Sequence, residues 1–574
     1  MSMAGQCGAS SSPPSKSIWS AAGILAALGV SKDVPRDSTH RHSFGLRIVF
    51  WGILLIGAAL RLAWLDCGLP KVQYVDAFKF VDSANAMAQA GNFEPQEFQN
   101  PALFANLLAV LDRVFHLMAS PFAEHLTACF ISALSGIALI GLVWRAGRNA
   151  LSEASALLAA ALVAVSVILV TLSRFPLTDM IVTSFMTAGL ICALEENPRP
   201  KCLLGAGVFL GLAIATKWTG LYLGVFYVIL AAIRILRRKP PLRELSRLGV
   251  ALAIAVVVFL AVNPRFIPHS AEYAQSLSLE AQIQKYGQIG RVQLGWLDYL
   301  ISSTPTLEMP WLSTSLLYSM GPALMVAALA GLVLALVRRN PPALALHALY
   351  AGIYLALIVG PGHLKAIRFL APVLPSLFIL AAGAVDAFSG WFPAARRRAV
   401  FMVATLLLVT FPLVKSIRYV FAARLPMTPV LAENWIREHL GDETGLCISP
   451  FFLDNLLVAL PHKPFFMAHM GQRQYRLPDN PAFNAELRPI YAPGLLDALR
   501  SKGIRYFVCN SWFDSAFLPV PENRRWFPLA TAAYASWRQR LEAEGELVWS
   551  VRAKDLGCLG PDIEIWRLDR MGVK

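Results

Sequence analysis

Long apolar runs, about every second one closed by a short basic cluster, dominate the pattern along this chain. A membrane-spanning helix needs about 20 mostly apolar residues, and about eleven runs come near that length. The first two are Leu46–Trp64 and Phe122–Val143, the latter stopped by Trp144, Arg145 and Arg148. Ala154–Leu172 and Thr178–Leu194 follow, joined by Ser173-Arg174-Phe175-Pro176. A close pair, Cys202–Thr216 and Gly220–Leu236, is interrupted at Lys217-Trp218. Leu248–Val262 runs into Asn263-Pro264-Arg265. After a polar stretch come Leu316–Val337, Ala343–Val359, Phe369–Phe388 and Ala399–Val414. Pro101–Met118 is also apolar, but counting it as a span would invert the orientation of everything after it, so it reads as an interfacial helix.

The rhythm changes after about Ile417. Helix-like stretches (Pro429–His439, Asp454–Leu460, Pro493–Lys502, Ala533–Glu544) alternate with strand-like ones (Gly445–Ser449, Ile504–Asn510, Leu547–Val551, Ile563–Leu568), the mark of a small α/β domain. The expected fold class is therefore a polytopic α-helical membrane protein with a C-terminal extracytoplasmic α/β domain. Residues 1–45 form a cytoplasmic tail, 46–416 the membrane module with loops at 66–121 and 263–312, and 417–574 the soluble domain. Ile18–Val30 is too short to span and lacks a cleavage site, so no signal peptide is expected.

Composition agrees: of 574 residues, 56% are hydrophobic and 15% charged. The net charge of +15 does not imply nucleic acid, because the Arg and Lys sit between apolar runs, as the positive-inside bias produces. If those clusters are cytoplasmic, Asp76, Asp179, Lys217, Arg265, His363, Lys365 and the C-terminal domain share the opposite side. The eight cysteines show no Cys-x-x-Cys or Cys/His pattern, which argues against a structural zinc site.

Several ionisable residues at that outer face are candidates for chemistry. Asp76, in Tyr74-Val75-Asp76, is either a general base for an attacking hydroxyl or an ordinary loop acid. Asp82 reads more simply as a solvated or capping acid. Asp179, at the start of Thr178–Leu194, either faces a cavity or partner, or simply pairs with Arg174 or caps the helix at the interface. Lys217 either snorkels to the interface or binds an anion. His363, Lys365 and Arg368 run against the orientation bias and suit an anionic phosphate, with interfacial anchoring as the alternative. Arg265 is a weaker example of the same kind.

These motifs, taken in order, resemble the GT-C glycosyltransferases that use polyprenyl-phosphate sugars, in the protein O-mannosyltransferase and aminoarabinose transferase branch. The elements are the early outer acid, Thr178-Asp179, Gly211-Leu212-Ala213 leading to Thr216-Lys217, Asn263-Pro264, and Arg368-Phe369-Leu370-Ala371-Pro372-Val373-Leu374-Pro375. The likeness covers Arg61 to Leu380, with weaker echoes at Gly503–Val508 and Gly560–Ile565. It implies Asp76 as catalytic base and Asp179 as a second acid. It also implies Lys217, Lys365 and Arg368 at the donor phosphate, with Arg265 and His363 beside them. Many relatives carry a second acid directly after the first, where this chain has Ala77, so no metal is assigned. No cofactor is expected, and a divalent metal is left open.

The implied reaction is inverting transfer of a sugar from a polyprenyl phosphate to a lipid, glycan or protein hydroxyl outside the cytoplasm, in a bacterial inner membrane. A transporter or lipid flippase is the alternative, although no repeated halves are visible. A non-catalytic scaffold is a third.

Overall fold

The computed structural model describes residues 40–69, 77–115, 120–195, 199–237, 239–286, 300–301, 315–337, 342–359, 366–441, 445–449, 465–466, 491, 494–519, 524 and 528–569. Asp76, His363 and Lys365 lie outside them, as does the expected helix Asp454–Leu460.

The membrane module begins with α1 (His40–Leu62), α2 (Ala77–Ala90) and α3 (Leu103–Phe115). It continues through α4 (Pro121–Ala150), α5 (Glu153–Val165), α6 (Val167–Leu172), α7 (Asp179–Ala193) and α8 (Pro200–Thr216). Then come α9 (Leu221–Leu236), α10 (Pro241–Val262), α11 (Ser270–Tyr286), α12 (Leu316–Met320), α13 (Pro322–Val337), α14 (Pro342–Val359), α15 (Leu374–Ser389) and α16 (Ala394–Ala422).

Local chemistry sets these ends. The Ser120 hydroxyl accepts from the Ala123 amide at 3.3 Å, with Pro121 opening the first turn of α4. Ser152 caps α5 in the same way through the Ser155 amide. The expected run Ala154–Leu172 is split at Ser166, which is extended between α5 and α6.

Among the described residues, six helices are long and apolar enough to cross a bilayer, or seven if the bent pair α13 and α14 counts as one span. The helices α5, α7 and α8 are apolar but shorter. Two of these, α5 and α7, are buried along most of their length within the bundle. Within the Pro101–Met118 stretch, α3 buries Phe104, Ala105 and Leu108 on one face while Leu107 and Val114 stay exposed.

Small residues bring helices close. A Cβ on Gly207 would sit 2.7 Å from the Ala251 carbonyl, and one on Gly211 would sit 2.6 Å from that of Ala255. The backbones of α8 and α10 therefore cross in contact, as small-residue spacings at membrane interfaces allow.

Beyond α17 (Thr428–His439) lies a five-stranded mixed sheet of order β2-β1-β3-β5-β4. Its strands are β1 (Gly445–Ile448), β2 (Phe465–Phe466), β3 (Ile504–Asn510), β4 (Glu546–Val551) and β5 (Ile563–Arg567). The helices α18 (Leu495–Ser501) and α19 (Pro528–Glu544) accompany it. Four strands fall where alternation places them. Within the domain, the start of α17 is tied to the segment before β5, because the Thr428 amide donates to the Leu559 carbonyl at 3.0 Å and its hydroxyl donates to the Pro561 carbonyl at 2.6 Å.

Candidate functional site

The interruption at Lys217 is a real break. The helix α8 ends there with Lys217 extended, and a 3-10 turn, Trp218–Gly220, leads into α9. The break leaves the Lys217 side chain beside the first turn of α7, where its Nζ donates to Asp179 Oδ1 at 2.8 Å. The pair is largely enclosed, with side-chain exposures of 13% for Lys217 and 5% for Asp179. The Asp179 carboxylate also sits at a helix N-terminus, where it offsets the positive end of the helix dipole.

Arg174 is not the partner of Asp179, contrary to one of the two readings of the sequence. It reaches back to the C-terminal end of α1, donating at 2.6 Å to Ala63 O and 2.6 Å to Trp64 O, with longer contacts to Leu60 O and Arg61 O. Orphan carbonyls at a helix end need donors, and a guanidinium with five N–H groups supplies them. Nearby Arg61 is fully buried, with donors on the Gly57, Val163 and Ala164 carbonyls and on the Ser173 hydroxyl. These two arginines fix α1 to the α5–α7 region.

Arg368 lies on the 3-10 helix Ile367–Val373, which packs against α7. Its guanidinium carbon is 5.6 Å from the centre of the Phe369 ring. Lys217 Nζ is also 5.6 Å from that ring. Lys217, paired with Asp179, and Arg368 thus each lie 5.6 Å from the same buried phenyl ring.

Arg265 belongs to a second group. Its Nε lies 3.3 Å from Glu94 Oε2, and the other Glu94 oxygen meets His269 Nε2. His269 Nδ1 faces Glu272 Oε1 at 3.3 Å. The bonds to Glu94 and then Glu272 raise the His269 pKa above its ordinary value. Sequence reasoning missed Glu94 and His269. The available signals were Glu94-Pro95 inside the acid- and aromatic-rich stretch, and the four-residue spacing from Arg265 to His269.

An aromatic wall joins the two groups. Trp218 packs near Phe259, Phe266 and Tyr273 at 6.3, 6.2 and 6.2 Å, and Phe98 meets Tyr273 at 5.2 Å. Asn263 pins the surrounding loop. Its side chain accepts from the Ala102 amide at 2.7 Å and donates to Phe259 O at 3.0 Å. Asp82 is exposed on α2. No group of three or more His, Cys, Asp or Glu suited to a metal occurs among the described residues.

The sequence model of the dolichyl-phosphate-mannose-protein mannosyltransferase family matches residues 119–274, well under half of the chain but inclusive of Asp179, Lys217 and Arg265. The archaeal oligosaccharyltransferase AglB of Archaeoglobus fulgidus, solved with an inhibitory peptide and a dolichol-phosphate, has a TM-score of 0.51 at 14% identity. That match covers 86% of this chain and 72% of that one. The apo form gives 0.52 at 14% identity, covering 86% and 73%. The chain shares the fold of that oligosaccharyltransferase. ArnT from Cupriavidus metallidurans in the apo state matches with a TM-score of 0.47 at 16% identity, over 92% of this chain and 98% of that one. No curated protein matches in sequence. The matched family, named for mannosyl transfer from a dolichyl phosphate, is of the kind the sequence motifs resemble.

Proposed function

We propose that this protein is a membrane glycosyltransferase that moves a sugar from a polyprenyl phosphate to an acceptor hydroxyl on the extracytoplasmic face, with inversion. The observation that carries the reading is the placement of two cations, Lys217 held by Asp179 and Arg368, each 5.6 Å from the Phe369 ring. It lies within a fold shared with a transferase solved with a dolichol-phosphate.

In this reading Asp76, directly before α2, takes the proton of the acceptor hydroxyl as its oxygen attacks the anomeric carbon. The bond from that carbon to the phosphate oxygen breaks, and the electron pair leaves with the phosphate. Lys217 and Arg368 meet the charge that develops there. Fixed cations in a water-poor site lower such a barrier more than mobile solvent does. Asp179 occupies one of the three donors of Lys217 and holds the ammonium in place, leaving two for phosphate oxygens. Lys365 and His363 belong to the same segment as Arg368 and add to the donor side. Arg265 sits with Glu94 and His269 at the opposite end of the aromatic wall and orders the loop over the site.

The proposed topology has about eleven crossings, with α5 and α6 counted as one broken span and α13 and α14 as two. The basic clusters lie in the cytoplasm and the α/β domain outside, in a bacterial inner membrane. The acceptor is a lipid, glycan or protein.

Incubation of purified protein with radiolabelled undecaprenyl-phosphate sugars tests the proposal. The wild type is expected to release undecaprenyl phosphate, and Asp76→Asn to abolish release while remaining folded. A fully active Asp76→Asn enzyme refutes the base assignment. Donor moved across a bilayer without being consumed supports the transporter instead.

A further inference from the structure

The far end of α7 borders a cavity of about 410 Å³ that the transfer reaction does not use. Asp179 opens this helix and Ala193 ends it, so at about 1.5 Å per residue the two ends lie about 21 Å apart. Arg148 from the end of α4, Arg234 and Arg237 from the end of α9, and Lys239 line the cavity, with Glu195 as the carboxylate in its wall.

Not all of that charge is available. Arg148 pairs with Glu153 at 2.9 Å. Arg234 donates to the Ala193 and Glu195 carbonyls, each at 2.9 Å, and lies 3.8 Å from Glu244. These contacts place both guanidinium groups at the rim. Arg237 and the exposed Lys239 add positive charge. The first residues of α14, Pro342 and Ala343, also line the cavity, so the positive end of an 18-residue helix adjoins the cations. Leu230 and Leu346 supply an apolar wall below.

Cations and a helix N-terminus above apolar side chains match one ligand chemistry, a phosphate group with or without acyl chains. We propose that this cavity is a second binding site, on the basic face of the membrane, for a phosphate-bearing anion. The source is either an anionic phospholipid headgroup or a free phosphate. The site stands independently of the transfer reaction.

The test uses the full chain in nanodiscs of phosphatidylcholine doped with phosphatidylglycerol, with retained lipid read by native mass spectrometry. Equilibrium binding of radiolabelled inorganic phosphate forms a parallel arm. Saturable binding in either arm is expected, and the arm that responds identifies the source. Arg237→Gln combined with Lys239→Gln should weaken it by about tenfold, and Lys239→Glu alone should act in the same direction. Arg396→Gln combined with Arg398→Gln, in another basic cluster, should leave it unchanged. Absence of saturable binding in both arms overturns the proposal, as does an equal loss in the two double variants.

Discussion

Lys217 and Asp179, 38 residues apart in sequence, form an enclosed ion pair with 2.8 Å between Nζ and Oδ1. An enclosed pair is costly to break from one side, because the remaining charge keeps its desolvation penalty without its partner. Asp179→Asn and Lys217→Met are each expected to destabilise the protein by about 3 kcal/mol. The double variant should lose less than the sum, with a coupling of about 1–3 kcal/mol. Thermal unfolding in detergent across the four proteins measures it. Strict additivity would show that the pair contributes no mutual stabilisation. On the proposed reading, sugar transfer should fall in both single variants, since one removes the ammonium proposed to meet the phosphate and the other the group that holds it in place.

Glu94 governs His269. With carboxylates at both ring nitrogens, the charged form of His269 is favoured and its pKa raised, so its contribution to docking α11 is complete below the ordinary histidine range. It is lost as the pH rises through the elevated value. Glu94→Gln should lower the His269 titration midpoint, as followed by NMR of its ring protons. It should also speed proteolysis near Ser270. An unchanged midpoint would show that Glu94 does not set it.

Arg174 gives a prediction that separates support from chemistry. Lysine has three donors and lacks the planar fork, so Arg174→Lys leaves α1 carbonyls without partners. A loss of about 2 kcal/mol is expected, seen as a lower unfolding midpoint with unchanged turnover per folded molecule. A selective loss of turnover at constant stability would place Arg174 in the active site instead.

These cases mark what the sequence makes legible. Apolar runs, their basic ends and the alternation in β3 and β5 are local patterns, so helices and strands could be located from them. Lys217 was visible because a lysine in an apolar stretch is anomalous. Its partner was not, since the contact depends on how α7 and α8 pack. Proximity in sequence suggested Arg174 for Asp179. In three dimensions the carbonyls ending α1 claim that arginine, and Lys217 fills the place at Asp179. Span length alone is a weak guide in the same way: a helix enclosed by protein, such as α7, need not present a full bilayer's depth of apolar surface.

The clearest pH dependence lies in the C-terminal domain. Asp514 is buried, accepts a hydrogen bond from the Tyr491 hydroxyl at 2.6 Å, and has its carboxyl pushed up to about 7, chiefly by burial. The Tyr491 bond and the nearby Arg538 act in the opposite sense, and Glu564 reinforces the rise. In the unfolded chain the same group titrates near an ordinary aspartate value of about 3.9. Between those values the folded state holds a proton that the unfolded state has released. Stability therefore falls as pH rises from about 4 to about 7 and is level above, by on the order of 4 kcal/mol in all. Asp514→Asn cannot titrate, so it should flatten this slope while keeping a partner for Tyr491. Native-state hydrogen exchange at Phe507 and Val508 in β3, measured at several pH values, reads the effect within the full chain. If the variant keeps the wild-type slope, another group is responsible for it.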